Sequence, residues 1–201
     1  MNVGNGARCA SYSPDPLCCN WFMHLNPYGE APVRLATELA NDPPRTAIEL
    51  AERCRDADLV FSQRVRRRDL TAVTDFLENW SAIVDATTER DRAESLNLLL
   101  AKHSHHPRLD DHADGWHLHY RPDDVDFAEL LTALISVGTA LHLTGRGMHR
   151  LGRCAATDCE RIFADVSRNG RQRYCCTRCN NRAAVRRHRD ATRSNGSARS
   201  A

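Results

Sequence analysis

The chain of 201 residues has a single lysine, Lys102; every other basic side chain is an arginine. Aromatic residues are scarce, at 6%. They form no platform on which single-stranded RNA bases would stack, because Phe163 and Tyr174 fall beside a cysteine cluster. No run of about 18 apolar residues marks a membrane span, and residues 1–14 are polar, unlike a secretory leader. There is no Gly-rich phosphate loop, no nucleophile elbow, no Ser/His/Asp set and no paired-carboxylate arrangement. These absences predict a cytoplasmic protein that is neither an enzyme nor membrane-bound.

What the chain does have is cysteine, nine in all. In a reducing compartment that number favours metal over disulfides. Cys154 and Cys159 are spaced C-x4-C, and Cys175 and Cys179 are spaced C-x3-C. Two close pairs at this separation predict one structural Zn²⁺ in a closed tetrahedral site, with no open position for catalysis. Cys176 adjoins Cys175 and offers C-x2-C with Cys179; Cys175 is the reading adopted. Cys9, Cys18, Cys19 and Cys54 have no paired spacing and read as buried or free thiols. Around the quartet, Arg161–Asp165 and Arg171–Tyr174 read as two strands joined by an Asn169-Gly170 turn. A basic helix follows, with Thr177 as its cap. Knuckle, hairpin, helix is the treble-clef order. A module of about 40 residues cannot build enough core alone, so the metal must supply folding energy.

Charge is divided unevenly. Residues 1–145 carry 14 Lys+Arg against 22 Asp+Glu, and residues 146–201 carry 14 Arg against 4 acids. The net charges are therefore −8 and +10, the parts of an overall +2. An acidic body joined to a basic module points to nucleic acid as a partner of the module. Arg168, Arg171, Arg173, Arg182, Arg186, Arg187 and Arg189 are the candidate phosphate contacts on duplex DNA. The competing reading is a solvated face whose arginines tie the finger together.

Periodicity predicts a mainly α N-terminal domain with one β-hairpin, then the small α+β finger. Residues 1–14 and 191–201 read as disordered. Leu17–Leu25 is a short apolar run, helix or strand. Asp42-Pro43 starts a helix whose face of Ala47, Leu50, Cys54, Ala57, Phe61 and Val65 reaches Arg68. Arg64, Arg66, Arg67 and Arg68 then close it favourably for the helix dipole. Asp69 caps the next helix, and Thr88 with Asp91 starts a third, to about Lys102. An Asp114-Gly115 turn followed by alternating Trp116–Tyr120 predicts the hairpin. Pro122 with Asp123 or Asp124 begins a long core helix of Phe127, Leu130, Leu131, Leu134, Ile135, Val137 and Leu141. Gly145-Arg146-Gly147 ends it and reads as a protease-sensitive linker.

Leu151-Gly-Arg-Cys154, Cys159, Phe163, Ser167-Arg-Asn-Gly170, Arg173-Tyr174-Cys175 and Cys179-Asn-Asn-Arg182 together resemble the CGNR zinc-finger family. Asn180 stands for the family glycine, and asparagine tolerates a left-handed backbone. Leu17-Cys18-Cys19-Asn20-Trp21-Phe22 resembles the opening of the helical ABATE domain, described as a stress-induced transcription regulator, that accompanies such fingers. The resemblance implies an ABATE-like regulatory domain over 15–145, a zinc finger over 150–190 and transcription regulation through DNA. It leaves room for a homodimer or a small-molecule effector.

Trp21, Trp116, His117 and His119 are the candidates for an effector pocket. His103, His105 and His106 cluster nearby, and exposed loop histidines explain them as well. Two other functions remain open. One is a protein-interaction adaptor using the finger. The other is a small-molecule-binding protein or enzyme with a structural finger.

Overall fold

The computed structural model describes residues 29–59, 61–111 and 116–197. The Leu17–Leu25 run with Trp21, the disorder expected over 1–14, and the Asp114-Gly115 turn lie outside these residues. Among the described residues, six α-helices and two two-stranded antiparallel sheets make a mostly helical fold.

Helix α1, Glu30–Asn41, buries Pro32, Val33, Leu35, Ala36 and Leu39. It is absent from the sequence reading, although its apolar residues recur at three and four. It starts from Gly29, whose φ of 60° is left-handed. A Cβ on Gly29 would come within 1.9 Å of the Gly138 carbonyl oxygen, so only glycine allows α1 to approach the middle of the core helix this closely. Asp42 is the C-cap of α1, not the start of the next helix.

Helix α2, Ala47–Asp56, is capped instead by Thr46, whose hydroxyl accepts from the Glu49 N–H at 3.1 Å. It stops at Asp56, ten residues short of α3, and the chain turns away at Asp58, which has a φ of 58°. The Arg64–Arg68 run therefore opens α3, Arg67–Asp85, rather than closing a helix. Asp69 sits inside that first turn, and its carboxylate accepts the Arg66 N–H at 2.7 Å. Helix α4, Glu89–His103, begins at Thr88 with Asp91 as expected, the Thr88 hydroxyl accepting the Asp91 N–H at 3.1 Å.

β1, Arg108–Asp111, pairs with β2, Trp116–His119, with Leu109 opposite Leu118. Helix α5, Phe127–Arg146, follows a capping box of Asp126 and Glu129. By length and apolar composition α5 could cross a membrane, contrary to the sequence reading. Yet 72% of that window is buried inside the protein, against α1, α3 and α4. Trp80 on α3 is fully buried and donates its indole N–H to the Thr139 hydroxyl of α5 at 2.9 Å, which satisfies both polar groups in the core.

The expected linker at Gly145–Gly147 does not materialise. After α5 a short 3-10 turn, Met148–Arg150, leads into β3, Leu151–Arg153, which pairs with β4, Ile162–Ala164. Leu151 and Ile162 belong to the main hydrophobic core. Polar staples reinforce the join. Asn41 donates to the Ile162 carbonyl at 2.8 Å and accepts from its N–H at 2.7 Å, acting as a one-residue strand along the edge of β4. Arg92 donates to the carbonyls of Met148, Leu151, Val84 and Ala86. Arg153 grips Asp85 with two bonds of 2.6 and 2.8 Å. Two glycines suggest a flexible joint only when the contacts of the residues beyond them are unknown.

His142 on α5 is fully buried, with its Nε2 3.4 Å from the Arg150 carbonyl. Burial pushes its pKa down, and the positive charges of Arg146 and Arg150 add to this. The unfolded chain therefore takes up this proton more readily than the folded one. Stability held above the unfolded value of about 6.5 is lost as pH falls through it towards the folded value, at no more than about 1.4 kcal/mol per pH unit. Denaturant midpoints measured from pH 7.5 to 5.5 should fall more steeply for the wild type than for His142→Gln. Parallel slopes would show that His142 does not carry the effect.

Candidate metal centre

The finger forms between the ends of the β3–β4 hairpin and helix α6, Thr177–Ser197. Cys154 immediately follows β3, and its N–H donates to the Arg161 carbonyl at 2.9 Å, so the chain doubles back through Cys159 as a knuckle. The hairpin is thus 151–153 with 162–164. It differs from the expected pairing of 161–165 with 171–174. Segment 171–174 is instead held by single bonds: Ala155 N–H to the Arg173 carbonyl at 2.8 Å, and Gln172 N–H to the Asp165 carboxylate at 3.0 Å.

Asp165 is 1% exposed and organises the Ser167–Gly170 turn. Its burial opposes ionisation. The Ser167 hydroxyl, the amides of Gln172 and Ser167 and the nearby Arg150 charge outweigh that and hold its pKa below the usual carboxylate range. Gly170, with a φ of 65°, lies where a Cβ would stand 2.7 Å from the Arg150 guanidinium.

Helix α6 begins at Thr177. The Asn180 N–H donates to the Cys176 carbonyl at 3.2 Å, so Cys176 rather than Thr177 is the cap. Only Cys179 of the second pair lies in the helix. Asn180 is an ordinary helical residue there, with no left-handed backbone to tolerate.

The Sγ atoms of Cys154, Cys159, Cys175 and Cys179 all lie within 4.8 Å of one another. Cys159 to Cys175 is 3.6 Å and Cys175 to Cys179 is 3.7 Å. A disulfide would require about 2.05 Å. Zinc at about 2.3 Å from four sulfurs makes a tetrahedron with edges of about 3.8 Å, which these separations match. The chemistry of the donors agrees. Burial, then the crowding of the other thiols, pushes the Cys175 pKa up; Cys179 is raised chiefly by burial. A divalent cation supplies the charge that such a group of sulfurs needs to ionise together. Cys154 is helped further. Burial opposes its ionisation, but the amides of Cys175 and Ala156 lower its pKa, the Cys175 N–H donating to its Sγ at 3.4 Å. Cys176 is exposed and outside the quartet.

Three of the seven candidate DNA-contacting arginines have partners inside the finger. Arg182 pairs with Asp158 at 2.6 Å and donates to Cys179 Sγ at 3.3 Å, neutralising a ligand. Arg186 bonds the Thr157 hydroxyl, and Arg187 the Tyr174 hydroxyl at 2.8 Å. Arg168, Arg171, Arg173 and Arg189 are exposed. Arg178, exposed in the first turn of α6 and not singled out from the sequence, joins them.

Of the candidate effector pocket, Trp21 and the His117 side chain lie outside what the structure describes, so Trp116 and His119 are the members it places. Alternation along β2 places Trp116, 72% exposed, on the face opposite His119. His119 is buried near Asp110 at 3.5 Å and Asp123 at 3.7 Å, and Arg108 bonds both carboxylates. His103 packs edge-on against Phe76 at 5.0 Å, away from the exposed His105 and His106. An open cleft of about 520 Å³ does lie between α1 and β4, lined by Arg34, Glu38, Arg161, Phe163 and the ligand Cys175.

A knuckle, a short hairpin and a helix N-terminus converging on four thiols define a structural zinc finger with one ion. Residues 150–191 match the family model of the CGNR zinc finger. No curated protein matches the chain.

Proposed function

We propose that the protein is a zinc-dependent, DNA-binding transcriptional regulator of the cytoplasm, and not an enzyme. Its ABATE-like helical domain responds to a small effector or dimerises. The observation that carries this reading is α6. From Ala184 to Asp190 every residue is exposed, so a basic helix presents Arg189 to solvent, and Arg168, Arg171, Arg173 and Arg178 of the same module are exposed as well. Four thiolates with one Zn²⁺ lower the net charge of +10 over 146–201 by two, and the module stays strongly basic. Cationic side chains with no intramolecular partner are the ones available to phosphates.

Because β3 and β4 are built into the main core, the test uses the full zinc-loaded chain. Anisotropy titrations with duplex DNA should give a log-affinity against log-salt slope of about −4 to −5, for roughly five phosphate contacts. Arg189→Ala should weaken all sequences alike and flatten the slope by about one. If the loaded chain binds no duplex at about 50 mM salt, the regulator reading fails, and an adaptor for an acidic protein takes its place.

A further inference from the structure

Cys176 is the thiol of the finger that the metal centre leaves over. It is exposed, its Sγ is 3.9 Å from that of Cys175, and it caps α6. Cys176-Thr177-Arg178-Cys179 is therefore a C-x-x-C pair at a helix N-terminus. The outer cysteine is open to solvent and the inner one, a metal ligand, is 4% exposed. An accessible thiol beside a buried one at this spacing is the arrangement of thiol–disulfide redox sites. We propose that Cys176 is a peroxide-reactive site, and that its oxidation is resolved by a Cys176–Cys179 disulfide that dismantles the metal centre.

The chemistry balances with hydrogen peroxide as the oxidant. The Cys176 sulfur attacks one peroxide oxygen and the O–O bond breaks. A sulfenic acid forms on Cys176, and the other oxygen leaves as water. The Cys179 sulfur then attacks the sulfenic sulfur. The S–S bond forms, the S–O bond breaks, and hydroxide leaves, taking a proton to become a second water. Two cysteines lose two electrons, and the peroxide gains them. Cys175 is the poorer resolving partner, although it is near. Neighbouring Cα atoms are about 3.8 Å apart, below the usual disulfide range of about 4.4–6.8 Å. With Cys179 withdrawn, three sulfurs remain, too few for a closed tetrahedral site. Arg182 loses its thiolate partner in the same step.

The inference depends on the zinc site and not on DNA, so its readouts are metal and sulfur alone. The full zinc-loaded chain is exposed to hydrogen peroxide. Released metal is followed with a chromophoric indicator, and disulfides are mapped by peptide mass spectrometry. The wild type should release zinc roughly tenfold faster than Cys176→Ser, which keeps a good capping side chain. The oxidised wild type should contain the Cys176–Cys179 bridge, and thiol reductant with added zinc should reverse the change. Equal release rates, or a bridge among the four ligands, would overturn the proposal. So would a Cys176→Ser protein that cannot hold one zinc, since Cys176 would then be a ligand. Brief alkylation of the loaded wild type gives an independent check. Within the finger the label should fall first on Cys176, with zinc retained and peroxide resistance conferred. Labelling of a ligand cysteine first would contradict the assignment.

Discussion

Serine at Cys154, Cys159 or Cys179 abolishes stoichiometric zinc binding and unfolds the finger around it. Binding energy at such sites is of order 10 kcal/mol and is spent on folding. Little else holds the region: its own apolar cluster is Cys154, Ala156 and Cys179, flanked by Cys159, Tyr174 and Cys175. The ligands are themselves the core. The damage should nevertheless stop at the hairpin, because Leu151 and Ile162 are buried among the helices and Asn41 seals the edge of β4. Hydrogen exchange should show protection lost over 154–159 and 172–183 and retained over 151–153 and 162–164. Loss of protection across α1, α3 and α5 would mean that the helical body depends on the metal.

Arg92→Met is expected to be the most damaging polar substitution outside the metal centre, at about 3 kcal/mol. The guanidinium ties the carbonyls of Val84 and Ala86, at the end of α3, to those of Met148 and Leu151, where the chain enters the finger. Burial lowers its pKa without making it neutral. Methionine keeps an unbranched apolar stem and leaves four carbonyls without that donor. Arg153→Ala breaks the exposed pair with Asp85, which joins the same two regions, and should cost under about 1 kcal/mol. Urea unfolding of the two variants separates them. Equal costs would show that the Arg92 bonds add nothing beyond a surface ion pair.

Local signals that act within one turn were legible in the sequence. Thr88 with Asp91 starts α4 as read, and the unbroken apolar face from Phe127 marks α5. The cysteine quartet was legible because ligand spacing is set by the metal rather than by distant packing. Signals that depend on partners far along the chain were not. Helix α1 follows Gly29 and carries Pro32 in its first turn, and these obscure a periodicity that makes sense only against Gly138. The face running from Ala47 to Val65 looked continuous because Phe61 and Val65 pack against the same core from a loop. The β3–β4 hairpin was misplaced because Asn169-Gly170 is a turn without a strand pair. The linker failed because Arg92, Asn41 and Arg153 are polar residues whose partners lie tens of residues away.

Native mass spectrometry of the full chain tests the metal centre most directly. The wild type should carry one zinc, Cys175→Ser none, and Cys176→Ser one. Full zinc in Cys175→Ser with loss in Cys176→Ser would contradict the assignment, and would require a different fourth ligand.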